Sequence, residues 1–296
     1  MEQPADPAPP PQQPRRGLRA AIIAGVLVAV LVIAIVGYAA VGFAYAQSRI
    51  ANADRSLNAV ISHQNQLNAT FHNIDSNFTS LSTNSSFNAT QARTVIDQFV
   101  ATSQSAGRTV DQDDASLASA AGGLNDQRWL TVVSRGNLDR EANRIKHARN
   151  ALADARTVAG DYVLDGRYLQ AFMDVLADLD TLSNQSSSAD LSGAQATLTT
   201  MKTHVDKAVQ LSTAPGLPPE FHALTVDFQT MATDFGNLLA AAIASDDAGV
   251  TAAEQSVQND AAKISGYNFD TMKSEIDSFY KPLVDGFNSE MAAATS

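Results

Sequence analysis

The feature that most constrains this chain is a row of apolar residues in a segment otherwise rich in Asn, Ser, Thr and Gln. The row runs Ile50, Ala53, Leu57, Val60, Gln64, Leu67, Phe71, Ile74, Phe78, Leu81, in alternating steps of three and four. Such steps place one residue per half-heptad on a single helical face, whereas a strand repeats its faces every second residue. The pattern is unbroken, so it predicts one helix of roughly 45 Å at about 1.5 Å per residue. A stripe this strict in so polar a context has to be covered.

A second copy of the chain is one cover. Parallel coiled coils choose partners through opposite charges beside the stripe. Here those places hold Asp54, Ile61, Asn68 and Asp75, with Ser56, His63, Thr70 and Asn77, and no Glu/Lys complementarity. The rest of the chain supplies the cover instead. Ala92, Ile96, Phe99, Ala106, Val110, Leu117, Ala120 and Leu124 form a second row. A third begins at Leu138, Ala142, Ile145, Leu152, Ala155, Ala159 and Tyr162 and continues through Leu169, Phe172, Leu176 and Leu179. Later rows are Leu191 to Ala208, Phe221 to Ala242 (through Phe235 and Leu238), Val250 to Ile264, and Met272, Ile276, Phe279, Leu283 and Phe287. Amphipathic helices that each hide one face close most economically on one another. The expected fold is therefore all-α: an antiparallel helical bundle of about seven helices, without a sheet.

Turn and cap clusters punctuate the rows at 83–88, 122–123, 184–190, 214–220, 245–249 and 265–270. Asp190 and Asp247 suit N-caps, and Pro218-Pro219-Glu220 suits a first turn. Gly160 and Asp165-Gly166 suggest a break in the third helix. SADLSGAQATL (188–198) and SDDAGVTAAEQ (245–255) begin alike, hinting at a repeated hairpin.

Upstream, Ala20 to Ala46 holds no charged residue, and Arg15, Arg16 and Arg19 precede it. The length exceeds the roughly 20 residues needed to cross hydrocarbon and is too long for a signal-peptide core. The expectation is a single transmembrane helix at 18–46, continuous with the bundle, with the N-terminus cytoplasmic by the positive-inside rule. A Pro-rich tail, 1–17, is expected to be disordered. Residues 47–183 would form an extracytoplasmic long-helix bundle and 184–296 helical hairpins, within the same bundle or beside it. This layout resembles the outer bundles of chemoreceptor-like proteins, which return through a second span that this sequence lacks, so no family membership is implied.

The 296-residue chain carries net charge −11 and no cysteine. The acidic balance argues against nucleic acid as a partner, and thiol chemistry is excluded. The histidines, His63, His72, His147, His204 and His222, offer no i, i+4 pair and no HExxH, so no metal site is expected. Asp111/Asp113/Asp114, Asp178/Asp180 and Asp246/Asp247 read as caps and solvated charges in preference to an acid/base pair. Ser278 to Lys281 fits SxxK by letter but lacks the companion motifs. No catalytic residue, cofactor or enzymatic activity is expected. The one functional lead is a locally basic stretch, Arg135, Arg140, Arg144, Lys146, Arg149 and Arg156, suited to an anionic partner. The combined expectation is a non-enzymatic, membrane-anchored protein that binds or scaffolds a cell-envelope component, such as an envelope protein or anionic wall polymer. The alternative is a ligand-sensing ectodomain or, less favoured, an ectoenzyme with a carboxylate site.

Overall fold

In the computed structural model the described residues are 53–83, 89–126 and 135–296. Seven helices run through them: α1 Ala53–Thr83, α2 Ala89–Asp126, α3 Arg135–Ser187, α4 Leu191–Leu211, α5 Pro219–Ala244, α6 Asp247–Ser265 and α7 Phe269–Thr295. Among the described residues there is no strand. Neighbours are antiparallel throughout: bonded pairs climb in number on one helix as they fall on the next. Arg93 meets Asp174 while Arg156 meets Asp111 across α2/α3, and Asp165 meets Tyr280 while His147 meets Glu290 across α3/α7.

The 53-residue α3 is the spine. Around its first half, Ile145, Ala148, Leu152 and Ala155 pack with Leu57 and Val60 of α1, Val110 and Leu117 of α2, and Phe287 and Met291 of α7. Around its second half, Tyr168, Phe172, Val175 and Leu176 pack with Val205 and Ala208 of α4, Phe221 and Phe228 of α5, and Met272 and Ile276 of α7. The opening row is thus covered inside the chain, as far as its side chains are described. Its single polar place, Gln64, is also buried, and neither amide atom has a hydrogen-bond partner among the described residues.

Several expectations are corrected. No helix among the described residues is long and apolar enough to cross a membrane. Even the strongly apolar α5 carries Glu220, Asp227 and Asp234 along its length. The run 18–46 and the tail 1–17 lie outside the described residues, as does part of the 83–88 cluster. The membrane-anchored, single-pass topology is therefore withdrawn, together with the bilayer as a partner, the extracytoplasmic location and the envelope role that rested on it. The pair Gly122-Gly123 does not end α2, which continues to Asp126.

Nor does α3 break at Gly160 or Gly166. A Cβ on Gly166 would lie 3.1 Å from Phe99 Cδ1, so this glycine admits the close approach of α2 and does not interrupt the spine. The final seam runs Met272, Ile276, Tyr280, Val284, Phe287, Met291 and Ala294. It is one residue out of phase with the expected row at Phe279, which stays 46% exposed.

The hinted repeat is present in the turns. Asp190 caps α4 by accepting from the Gly193 amide, and Asp246, not Asp247, caps α6 by accepting from Gly249. The residues before the caps, Ala189 (φ 56°) and Ser245 (φ 52°), both sit in the left-handed region. In each turn the cap's own amide reaches back five residues, Asp190 to Gln185 O and Asp246 to Ala241 O, both at 3.0 Å. Cap, glycine and left-handed residue thus recur 56 positions apart. Because asparagine caps as well as aspartate, Asp190→Asn and Asp246→Asn are expected to leave chemical-denaturation midpoints unchanged. Asp190→Ala and Asp246→Ala should each cost about 1 kcal/mol.

Candidate functional site

The basic segment occupies the first half of α3. Arg135 opens the helix, and its side chain lies outside the described residues. Arg144 donates to Glu141 (2.8 Å), to Asp54 of α1 (3.4 Å) and to the carbonyl of Ala294 in α7 (2.9 Å). Arg149 donates to Asp114 at 2.7 Å and Arg156 to Asp111 at 2.6 Å, both on α2. The Arg149 bond, helped by Arg156 at 3.6 Å, holds the Asp114 carboxyl below the usual carboxylate range. Arg140 and Lys146 are exposed. An anionic partner arriving here would find Arg140 and Lys146 open, but would reach Arg144, Arg149 and Arg156 only in competition with these acids.

Three of the histidines join helices. His63 meets Asp113 across α1/α2 at 2.7 Å, His147 meets Glu290 across α3/α7 at 2.6 Å, and His204 meets Asp178 across α3/α4 at 2.7 Å. The side chain of His72 lies outside the described residues. Burial raises the pKa of Asp113 and Asp178 despite their histidine partners. Glu290 is lowered, chiefly by the His147 bond, with help from Asn150 and Lys146. The same turn-to-turn offset carries Asp178 and His204 onto Asp234 and Asp260 of the α5/α6 hairpin. There burial, and then the nearby Asp234 carboxyl, raise the pKa of Asp260. Beside them Asp227 accepts from Lys263 (2.6 Å) and from the Tyr267 hydroxyl (2.7 Å). No group of three or more histidine or acidic side chains among the described residues could hold a metal ion.

Two further arrangements have the components of chemistry without its access. Ser212 contacts His222 Nδ1 at 2.8 Å, but Ser212 is buried and its hydroxyl donates to the Val209 carbonyl at 2.8 Å. With that proton committed to the end of α4, the hydroxyl is not poised as a nucleophile. Asp165, 1% exposed, bonds the Tyr280 hydroxyl at 2.9 Å, and burial pushes its pKa well up. Gly216 closes over Tyr280: its φ is +86°, and a Cβ there would lie 2.7 Å from the ring. A groove of about 300 Å³ between α4 and α5 is lined by Lys202, Val205, Asp206, Gln229, Thr230, Ala232 and Thr233. None of the histidine–carboxylate pairs, nor Asp165, lines that groove.

The end of the bundle formed by the α3–α4 and α5–α6 turns is different in character. On α5 burial stops at Ala232. Phe235, Leu238, Leu239, Ala241 and Ala242 are only half-buried, and Ile243 is 53% exposed. Leu198 of α4 packs beside Gly236 of α5. One heptad further along each helix stand Leu191, itself 42% exposed, and Ile243, so the two lie at the same level. The acids Asp190, Asp246, Asp247 and Glu254 of this end are all exposed. Neither Leu191 nor Ala242 lies in the core that the periodicity assigns to them.

No family model, no curated protein and no solved structure matches the chain.

Proposed function

We propose that this chain is a non-catalytic interaction module that binds another macromolecule through the turn end of α4, α5 and α6. The observation that carries the reading is the last ten residues of α5, FGNLLAAAIA. They are uncharged and stay apolar past Phe235 and Leu239, which pack against the core, as far as exposed Ile243. A contiguous exposed apolar strip with a polar rim is the kind of surface that marks contact sites. Support for the absence of catalysis comes from the reactive groups: the Ser212 proton is held by a backbone carbonyl, Asp165 is sealed in the core, and each described histidine is tied to a partner.

A photo-crosslinking amino acid placed at residue 243 tests the proposal in cells that make the protein. Adducts of discrete mass are expected from position 243 and not from exposed Gln112 on α2. A pattern identical at the two positions, or no adduct at either, would overturn it.

A further inference from the structure

We infer that the partner seated at this end is a cationic amphipathic helix. The inference rests on the interaction-module reading and adds the chemical class of the occupant. Two of the three large apolar side chains exposed among the described residues, Leu191 and Ile243, stand level with each other here. Leu239, one turn before Ile243 on the same face of α5 and half-buried against the core, extends the apolar strip along the seam.

The charge around the strip is of one sign. The stretches 181–201 and 235–262, which make up this end, contain Asp190, Asp246, Asp247, Glu254 and Asp260, and no Lys, Arg or His. The nearest cation along α4 is Lys202, three turns from Leu191, at the groove.

This asymmetry separates the candidate occupants. A second copy docking end to end would bring two sets of exposed aspartates together, and the repulsion grows as the strips approach. An anionic membrane surface is repelled both by these acids and by the net charge of −11. A helix with Leu or Ile on one face and Lys or Arg flanking it satisfies both features. Its apolar face covers Leu191, Ile243 and Leu239, as helix-in-groove partners do, and its cations meet Asp190, Asp246 and Asp247. The acids also steer its approach, so association is fastest at low salt.

The test uses the full chain and three labelled 16-residue peptides followed by fluorescence anisotropy. One is a Leu/Lys amphipathic helix, one its Leu/Glu counterpart, and one a Ser/Lys peptide of equal charge without the apolar face. The Leu/Lys helix is expected to bind at least ten-fold more tightly than either of the others. Its affinity should fall at least ten-fold with Leu191→Ser/Ile243→Ser. A similar loss is expected with Asp190→Asn/Asp246→Asn/Asp247→Asn, in which asparagine keeps both helix caps. All of these positions are exposed, and a circular dichroism spectrum like that of the parent chain verifies that the variants fold. Equal binding of the Leu/Glu helix would overturn the cationic assignment while leaving the interaction-module reading intact. So would self-association that Leu191→Ser/Ile243→Ser abolishes, because the occupant is then a second copy. Leu/Lys binding that ignores the Leu191→Ser/Ile243→Ser change is general charge attraction and overturns the inference, as does the absence of binding by all three peptides.

Discussion

Tyr280→Ala is expected to lower the unfolding free energy by about 3–5 kcal/mol, the range for emptying a large aromatic site in a core. Tyr280 is 1% exposed and its ring stacks edge-on against Tyr162, with centroids 5.1 Å apart. It is also the point where α7 passes from one half of the core to the other, under the Gly216 turn and against α3. Its hydroxyl lies 2.9 Å from Asp165 Oδ2 and 3.3 Å from the Pro215 carbonyl. One hydroxyl hydrogen cannot serve both oxygens fully. The arrangement closes when Asp165 is protonated, because the acid then donates to the Tyr280 oxygen and the tyrosine donates to Pro215. Tyr280→Phe keeps the ring and removes this relay, so it should cost about 1–3 kcal/mol, the range for orphaned buried polar groups. Urea titration of the two variants separates ring from hydroxyl. Equal losses in both, or a loss below about 2 kcal/mol in Tyr280→Ala, would show that this residue does not pin α7.

Helix type and packing direction were legible because periodicity alone carries them. Leu57, Val60, Ile96, Phe99, Ile145, Leu152, Phe172, Met201, Val205, Phe228 and Ile276 all stand on predicted stripes and all are buried. What periodicity does not carry is where the cover stops. The α5 row continues through Phe235, Leu238 and Ala242 with the same spacing as its buried half, and only the shape of the bundle shows that these residues stay partly open. The α7 seam is out of phase for a related reason. Phe279 and Tyr280 are neighbours of similar bulk, and the choice between them is made by Asp165, 115 residues away. Gly166 looked like a helix breaker because propensity is a local property, whereas the close approach of Phe99 is tertiary. The histidine clasps were invisible to motif spacing, since each partner lies on another helix, up to 143 residues distant for His147 and Glu290. The α4 and α6 caps were nearer to sight. The Asp-x-x-Gly spacing at 190–193 and 246–249 is the same, and it selects Asp246 over Asp247 by the position of the glycine that donates.

Acidification from pH 8 to pH 5 is expected to stabilise this protein, the reverse of what ion-paired surfaces usually give. Burial is the leading cause of a raised pKa at Asp113, Asp154, Asp161, Asp165, Asp178, Asp260 and Asp277. A carboxyl whose pKa is higher folded than unfolded binds its proton more tightly in the native state. Its contribution is complete below the unfolded value, about 3.9, and is lost as pH rises through the folded value. Asp114 and Glu290 have lowered pKa values and act oppositely: their contribution is complete above the unfolded values and is lost as pH falls through the folded ones. As pH falls, the raised group binds protons more readily in the folded state than in the unfolded one, sealed Asp165 foremost, and the same protons relieve the net charge of −11. The melting temperature should therefore rise by at least about 3 °C over that interval, the shift that roughly 1 kcal/mol gives a domain of this size. Asp165→Asn should flatten the slope, because the amide is neutral at every pH and still offers Tyr280 a partner in the sealed site. A melting temperature that falls steadily from pH 8 to pH 5, or a slope unchanged by Asp165→Asn, would mean that the buried acids do not set the pH response of the bundle.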